Sequence, residues 1–202
     1  MTATILYIHG FNSSPASRKA RQLSVAMQRI GCAQALAVPQ LHHDPRQAIA
    51  ELEREIARLG SPLLVGSSLG GFYATWLARR HALKMLLINP AVAPQERFGA
   101  YLGPQSNYYS GEQWQLTPAH IEALAALAVP PPGDPARCQV WLQTGDETLD
   151  YREAERYYRA CALRIEPGGD HGFQGFAARI PALLAFAGFD PALWRDHDFS
   201  DL

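Results

Sequence analysis

Several features that would commit a chain to a special environment are missing here. Cysteine is scarce: three in 202 residues, at positions 32, 138 and 161, with no C-x-x-C pair. An odd, widely spaced set reads as reduced packing thiols, not as a disulfide framework or a metal site. No apolar run approaches the roughly 20 residues that a membrane-spanning helix needs. The opening stretch MTATILYIHG has neither a basic n-region nor a long apolar core, so no secretory signal is read there and the cytoplasm is the expected location. Charge of one sign is not in excess either. The 18 Lys and Arg offset 19 Asp and Glu to a net −1, with no basic tract or acidic tail, which removes the electrostatic case for a nucleic acid or an anionic membrane as partner. Internal repeats are absent, and the length suits one domain over residues 1–202.

What the chain does have is alternation. Short apolar runs are separated by helical patterns along most of its length. ATILYIH (3–9) is rich in strand formers and ends at Gly10. Ser14-Pro15 offers an N-cap and an N1 proline, and Ala16, Ala20, Leu23, Met27 and Ile30 follow at helical spacing. A second apolar run, ALAV (35–38), stops at Pro39. Asp44-Pro45 with Gln47 resembles a capping box ahead of the stripe Ile49, Leu52, Ile56 and Leu59. LLVG (63–66) is the third expected strand, with a helix from Phe72 to Arg80, and MLLIN (85–89) the fourth. QVWLQT (139–144) and ALRIE (162–166) are the fifth and sixth, separated by a helix from Tyr151 to Ala160. A last helix is expected from Pro181 to Gly188, after a turn at 174–179. Strands alternating with helices imply right-handed crossovers and a parallel sheet of about six strands with helices on both faces. In such sheets ligands sit beyond the carboxyl ends of the strands.

About 50 residues between the fourth and fifth strands break this rhythm, more than a loop normally takes. They hold Phe98, Tyr101, Tyr108, Tyr109 and Trp114, a helix opened by Thr117-Pro118, and the stiff stretch VPPPGDP. The segment 90–136 is read either as a cap over a site or as an ordinary packed excursion.

The most informative stretch is LLVGSSLGGFYATW (63–76), which contains two adjacent serines. Only Ser68 has glycine two before it (Gly66) and two after it (Gly70). A nucleophile placed on a sharp strand-to-helix turn sits in a strained backbone conformation, and a side chain at either flanking position would collide with the turn. The helix that follows aims its N-terminal dipole and free N–H groups at the same place. Ser68 is therefore the candidate nucleophile, and Ser67 a neighbour that packs or hydrogen-bonds nearby.

A serine hydroxyl is unreactive at neutral pH unless a base takes its proton, and a carboxylate should orient that base. The order Ser, acid, His belongs to this turn type. His171, in the glycine-rich GGDHGF just past the sixth strand, is the candidate base; His120 and His197 read as surface residues. Asp146, two residues beyond the fifth strand, is the preferred acid. Asp150 is the alternative, although with Glu153 it makes a good helix cap. Glu147 is expected to point away from Asp146, and Asp170 adjoins the histidine too closely to grip its Nδ1. Backbone donors for an oxyanion are expected at Leu69 N–H and, from the HGFNSS loop, at Phe11 N–H, with Gly10 allowing the close approach. His9 on the same loop is assigned a structural hydrogen-bonding role. The scheme uses no metal and no organic cofactor.

Together YIHGFNSS, VGSSLGGFYATW, TGDETLDY and GGDHGF resemble the small bacterial esterases of the YqiA type within the α/β-hydrolase superfamily. NPAV (89–92) and the Asn107-Tyr108 region extend the likeness over nearly the whole chain, while GGDHGF departs from the asparagine and alanine expected around the histidine. The resemblance implies a compact α/β-hydrolase fold, a site of Ser68, Asp146 and His171, and hydrolysis of short acyl esters. It further implies fatty acyl-CoA thioesters as substrates, so an acyl-CoA thioesterase with the same three residues is the alternative. A non-catalytic binding module on a hydrolase fold is the third reading. Each reading expects a small-molecule ester or acyl thioester as ligand. Acyl length, leaving group and oligomeric state are not set by these residues.

Overall fold

The computed structural model describes residues 3–132, 134 and 136–202. Met1 and Thr2 of the opening stretch, and Gly133 and Pro135 of the proline-rich stretch, lie outside the described residues. In chain order the elements are β1 (Ile5–Ile8), α1 (Arg18–Arg29), β2 (Leu36–Ala37), α2 (Pro45–Leu59), β3 (Leu63–Ser67), α3 (Leu69–His81), β4 (Met85–Ile88) and α4 (Pro94–Phe98). There follow β5 (Gly103–Ser106), β6 (Gln113–Leu116), α5 (Pro118–Ala125), β7 (Cys138–Gln143), α6 (Tyr151–Tyr157), β8 (Ala162–Glu166) and α7 (Ile180–Ala187).

Six strands form one sheet in the order β2-β1-β3-β4-β7-β8, and each neighbouring pair is parallel. The expected six-stranded parallel sheet is present. Its inner strands ILYI, LLVGS and MLLI are buried along their whole length. Both faces are covered, so continuous apolar runs replace the in-out alternation of a half-solvated sheet. Alternation survives as a choice of face. Leu6, Ile8, Leu64 and Leu87 pack with Leu52 of α2 and Leu77 of α3. Ile5, Tyr7, Val65 and Ile88 pack on the other side with Leu23 of α1 and Leu183 of α7.

Several local expectations need correction. The first helix begins at Arg18, with Ser17 as its N-cap, not at Ser14-Pro15. Ser14 instead closes a turn: its carbonyl accepts from Ser17 N–H at 3.0 Å and its Oγ from Ala16 N–H at 3.0 Å. Three helices depart by a few residues: α3 starts at Leu69, directly after the serine pair, α6 stops at Tyr157, and α7 starts at Ile180. The turn at 174–179 closes as a 3-10 turn at Ala177–Arg179. Asp44 caps α2 by accepting from Arg46 N–H at 2.8 Å, a simple cap without a return bond from Gln47.

The 90–136 excursion contains an element that periodicity did not reveal, the antiparallel hairpin β5–β6. Its strands are four residues each: QWQL alternates, burying Trp114 and Leu116, but its partner GPQS has no apolar alternation, so the pair does not stand out by pattern. The hairpin is tied to the loop after β1. Trp114 Nε1–H donates to Asn12 Oδ1 at 2.9 Å, Asn12 Nδ2–H to Gln105 Oε1 at 3.1 Å and Asn107 Nδ2–H to Ser13 O at 2.9 Å. The backbone adds Tyr108 N–H to Asn12 O at 3.0 Å. Among the described residues no helix is long and apolar enough to cross a membrane.

Candidate active site

Ser68 stands between β3 and α3 with φ 55° and ψ −124°. A side chain in that region is strained, and the surrounding structure must hold it there. Part of the restraint is backbone: Ser68 N–H donates to Ile88 O at 3.1 Å, and Ser68 O accepts from Gly71 N–H and Ala91 N–H at 2.9 and 3.0 Å. The flanking glycines have specific reasons. A Cβ at Gly66 would lie 2.5 Å from Gly70 O, and one at Gly70 would lie 2.0 Å from Ile8 O. Either contact would push the helix start off the sheet.

The strands deliver three polar side chains to one rim. His171 Nε2 lies 3.0 Å from Ser68 Oγ. His171 Nδ1 lies 3.0 and 2.9 Å from the two carboxylate oxygens of Asp146. The carboxylate can only accept, so it sets the tautomer: Nδ1–H donates to Asp146 and Nε2 is left to accept the serine proton. Asp146 is almost fully buried, its side chain 2% exposed, whereas the His171 side chain is 24% exposed. The carboxylate is further fixed by Thr148 N–H and Leu149 N–H, both donating to Oδ1 at 2.9 and 2.8 Å. Asp150 is elsewhere, capping α6 by accepting from Arg152 N–H at 3.0 Å. Glu153 does not complete that cap with its side chain; it is paired with Arg97.

From the loop after β1, Gly10 comes close enough that a Cβ there would lie 3.1 Å from Ser68 Cβ. Gly10, Phe11 and Leu69 line one narrow cavity of about 30 Å³ with Tyr73 and Trp114. Leu69 N–H, at the first position of α3, has no intrahelical acceptor, and Phe11 N–H makes no hydrogen bond among the described residues. His9 supports the loop from below. Its Nε2 accepts from Leu41 N–H at 3.2 Å, so its Nδ1–H donates to Gly10 O at 3.0 Å. Burial holds its pKa below the ordinary value, partly offset by that bond to Gly10. Ser67, the last residue of β3, is buried on the face that holds Tyr7, whose phenol pKa burial drives well above its usual range.

Other residues around the site escaped sequence reasoning. Glu147 does not point away: its Oε2 accepts from His171 N–H at 3.0 Å. Lys19 on α1 donates to Gly172 O at 2.8 Å; burial pushes its pKa down to about 8, against the pull of Asp170 and Asp146. Asn89 and Gln143 are buried at the ends of β4 and β7 and bond to the histidine loop. A polar residue ending an apolar strand was the available signal for both. His120 is half-buried, not a plain surface residue: it completes a capping box with Thr117 and meets Trp114 edge-on. His197 is exposed.

A parallel sheet with a strained serine at a strand-to-helix turn, and a histidine and aspartate on later loops, defines the α/β-hydrolase fold class. Solved structures share that architecture. Est1E from Butyrivibrio proteoclasticus with bound ferulic acid superposes at a TM-score of 0.68, 14% identity, over 92% of this chain and 88% of its own. Alpha/beta hydrolase domain-containing protein 10 from mouse gives 0.65, 15% identity, over 92% and 90%. Within this class the chain belongs to the Uncharacterised protein family (UPF0227), matched over residues 4–188. Its relatives there include a UPF0227 protein of Shewanella woodyi, 28% identical over 90% of this chain and 98% of that protein. One of Shewanella sp. strain ANA-3 is 32% identical over the same shares.

Proposed function

We propose that the protein is a serine hydrolase of carboxylic esters, acting through an acyl-enzyme intermediate on Ser68. The observation that carries this reading is the continuous hydrogen-bonded line from Ser68 Oγ through both nitrogens of His171 to the buried Asp146 carboxylate. In the first step His171 Nε2 takes the Ser68 proton as Oγ attacks the ester carbonyl. Asp146 holds the imidazole and offsets the charge it gains. Leu69 and Phe11 N–H groups receive the oxyanion, each worth on the order of 3 kcal/mol. His171 then protonates the leaving alcohol, the alcohol departs, and a water deprotonated by the same nitrogen releases the acid.

The likeness to YqiA-type esterases in four motifs supports an ester, and so does the fold shared with Est1E. The excursion 90–136 serves as a fixed cap and not a swinging lid, a reading supported by the bonds that join β5 and β6 to Asn12 and Ser13. A cytoplasmic location is supported by the three buried free thiols. The test is Ser68→Ala assayed on a p-nitrophenyl ester, with fluorophosphonate labelling of the unaltered protein. Loss of turnover, together with labelling at Ser68, is expected. Full residual turnover in a folded variant removes the nucleophile assignment, and absence of labelling favours a binding role. Matched oxygen and sulfur esters compared side by side decide between esterase and thioesterase.

A further inference from the structure

His171 is presented by a loop that its own strand cannot hold rigidly. β8 is the sheet's edge strand, and its five residues are exposed or half-buried throughout. Yet a base must stay within a few tenths of an ångström of its partner to transfer a proton efficiently. The restraint has to come from elsewhere.

Glu147 on His171 N–H and Lys19 on Gly172 O hold the loop from one side, and two buried amide side chains on neighbouring strand ends hold it from beneath. Asn89, 2% exposed, donates from Nδ2 to Asp170 O at 3.0 Å and to His171 O at 3.3 Å. Its Oδ1 accepts from Gln143 N–H at 3.0 Å, which links the two amides' strands. Gln143, 4% exposed, accepts at Oε1 from Gln174 N–H at 2.8 Å and Asp170 N–H at 3.2 Å. Its Nε2 donates to Gln174 O at 2.8 Å and to Glu166 Oε2 at 3.3 Å. The pair thus grips the loop at residues 170, 171 and 174, on both sides of the imidazole.

We infer that Asn89 and Gln143 are positioning residues that hold His171 against Ser68 and Asp146, which rests on the reading of His171 as the base. The chemistry demands amides. Each side chain must accept from N–H groups and donate to carbonyls at the same time, which a carboxylate or a hydrocarbon cannot do. A carboxylate would also face loop carbonyls and the nearby Glu166 with negative charge. The loop sequence is matched to this grip. A Cβ on Gly169 would sit 1.9 Å from Gln143 Oε1, and its φ is +76°, so the second glycine of GGDHGF leaves room for the Gln143 amide. Asn89 itself sits at φ 41°, a region asparagine enters more readily than most side chains.

The test uses the near-isosteric Asn89→Asp and Gln143→Glu in the full chain, with Gln143→Met as a variant that adds no charge. Two readouts are taken: kcat and KM on a p-nitrophenyl ester, and the His171 imidazole resonances in proton-nitrogen spectra. Folded variants are expected to lose about tenfold to a hundredfold in kcat with KM nearly unchanged, and to lose or shift the Nδ1–H signal. Folded variants with unaltered kcat and an unaltered signal overturn the inference. The spectrum reports where the imidazole sits whether or not the ester is a substrate. A failed hydrolase reading would therefore appear in the Ser68→Ala assay alone, and a failed positioning role in the spectrum.

Discussion

Replacing Asn12 probes how the loop that carries Phe11 is held in place. The side chain is buried and sits at φ 49°, with Trp114 donating to it at 2.9 Å and Gln105 accepting from it at 3.1 Å. In Asn12→Ala the Trp114 indole N–H, in a residue only 8% exposed, loses its acceptor, which costs about 1–3 kcal/mol. Loss of the bond to Gln105 adds about 0.5 kcal/mol, and alanine in a left-handed conformation about 1–2 kcal/mol. The total, about 2.5–5.5 kcal/mol, is a large part of the stability of an ordinary domain. Asn12→Gly removes the same bonds but relieves the backbone, at an entropy cost of about 0.5–1 kcal/mol. It should therefore be the more stable of the two, by about 0.5–1 kcal/mol. Urea unfolding of both variants measures the gap, and ester turnover reports whether Phe11 has moved. In Asn12→Ala combined with Trp114→Phe no orphaned N–H remains, so the two losses should fall short of additive by about 1 kcal/mol. A glycine variant less stable than the alanine one, or strictly additive losses, would refute this account of the loop.

Three further variants test the same account. Asp146→Asn should leave the fold intact and cut turnover by orders of magnitude, because the imidazole loses the acceptor that sets its tautomer. Asp150→Ala should spare turnover and cost about 1 kcal/mol as a lost cap; steady-state kinetics beside thermal melts would show the reverse pattern if the acid were misassigned. His9 should make stability depend on pH. Its folded pKa lies below the ordinary 6.5, so in the interval between the two values the unfolded chain binds more protons. Stability is therefore full above pH 6.5 and declines as pH falls below it. His43, shifted the same way by burial and by His42, adds a slope of the same sign. His9→Gln should flatten the decline in denaturant midpoints between pH 7 and 5, and an unchanged slope would refute the assignment.

Much of this protein is written in local pattern. Short apolar runs such as ILYI and MLLI, bounded by turn residues, fit strands covered on both faces. Their alternation with helical stripes implies the parallel sheet. The serine turn is legible because the Gly-x-Ser-x-Gly spacing marks two crowded positions: a side chain at Gly66 would strike Gly70 within the turn, and one at Gly70 would strike Ile8 of the neighbouring strand. Asp150 announces itself as a cap for the same reason: its partner lies two residues away.

What the linear order could not decide depends on contacts between distant segments. Which carboxylate meets His171 could not be read from the linear order; β7 and β8 pair and bring a loop 25 residues on against Asp146. The hairpin escaped notice because only one of its two strands alternates, burying Trp114 and Leu116, and the bonds that anchor it run to Asn12 and Ser13, about a hundred residues earlier. Glu147, Asn89 and Gln143 look like ordinary polar residues at strand ends. They acquire a role only when the fold lays a glycine-rich loop across them, since a hydrogen bond needs a partner at 3 Å and sequence separation carries no such distance.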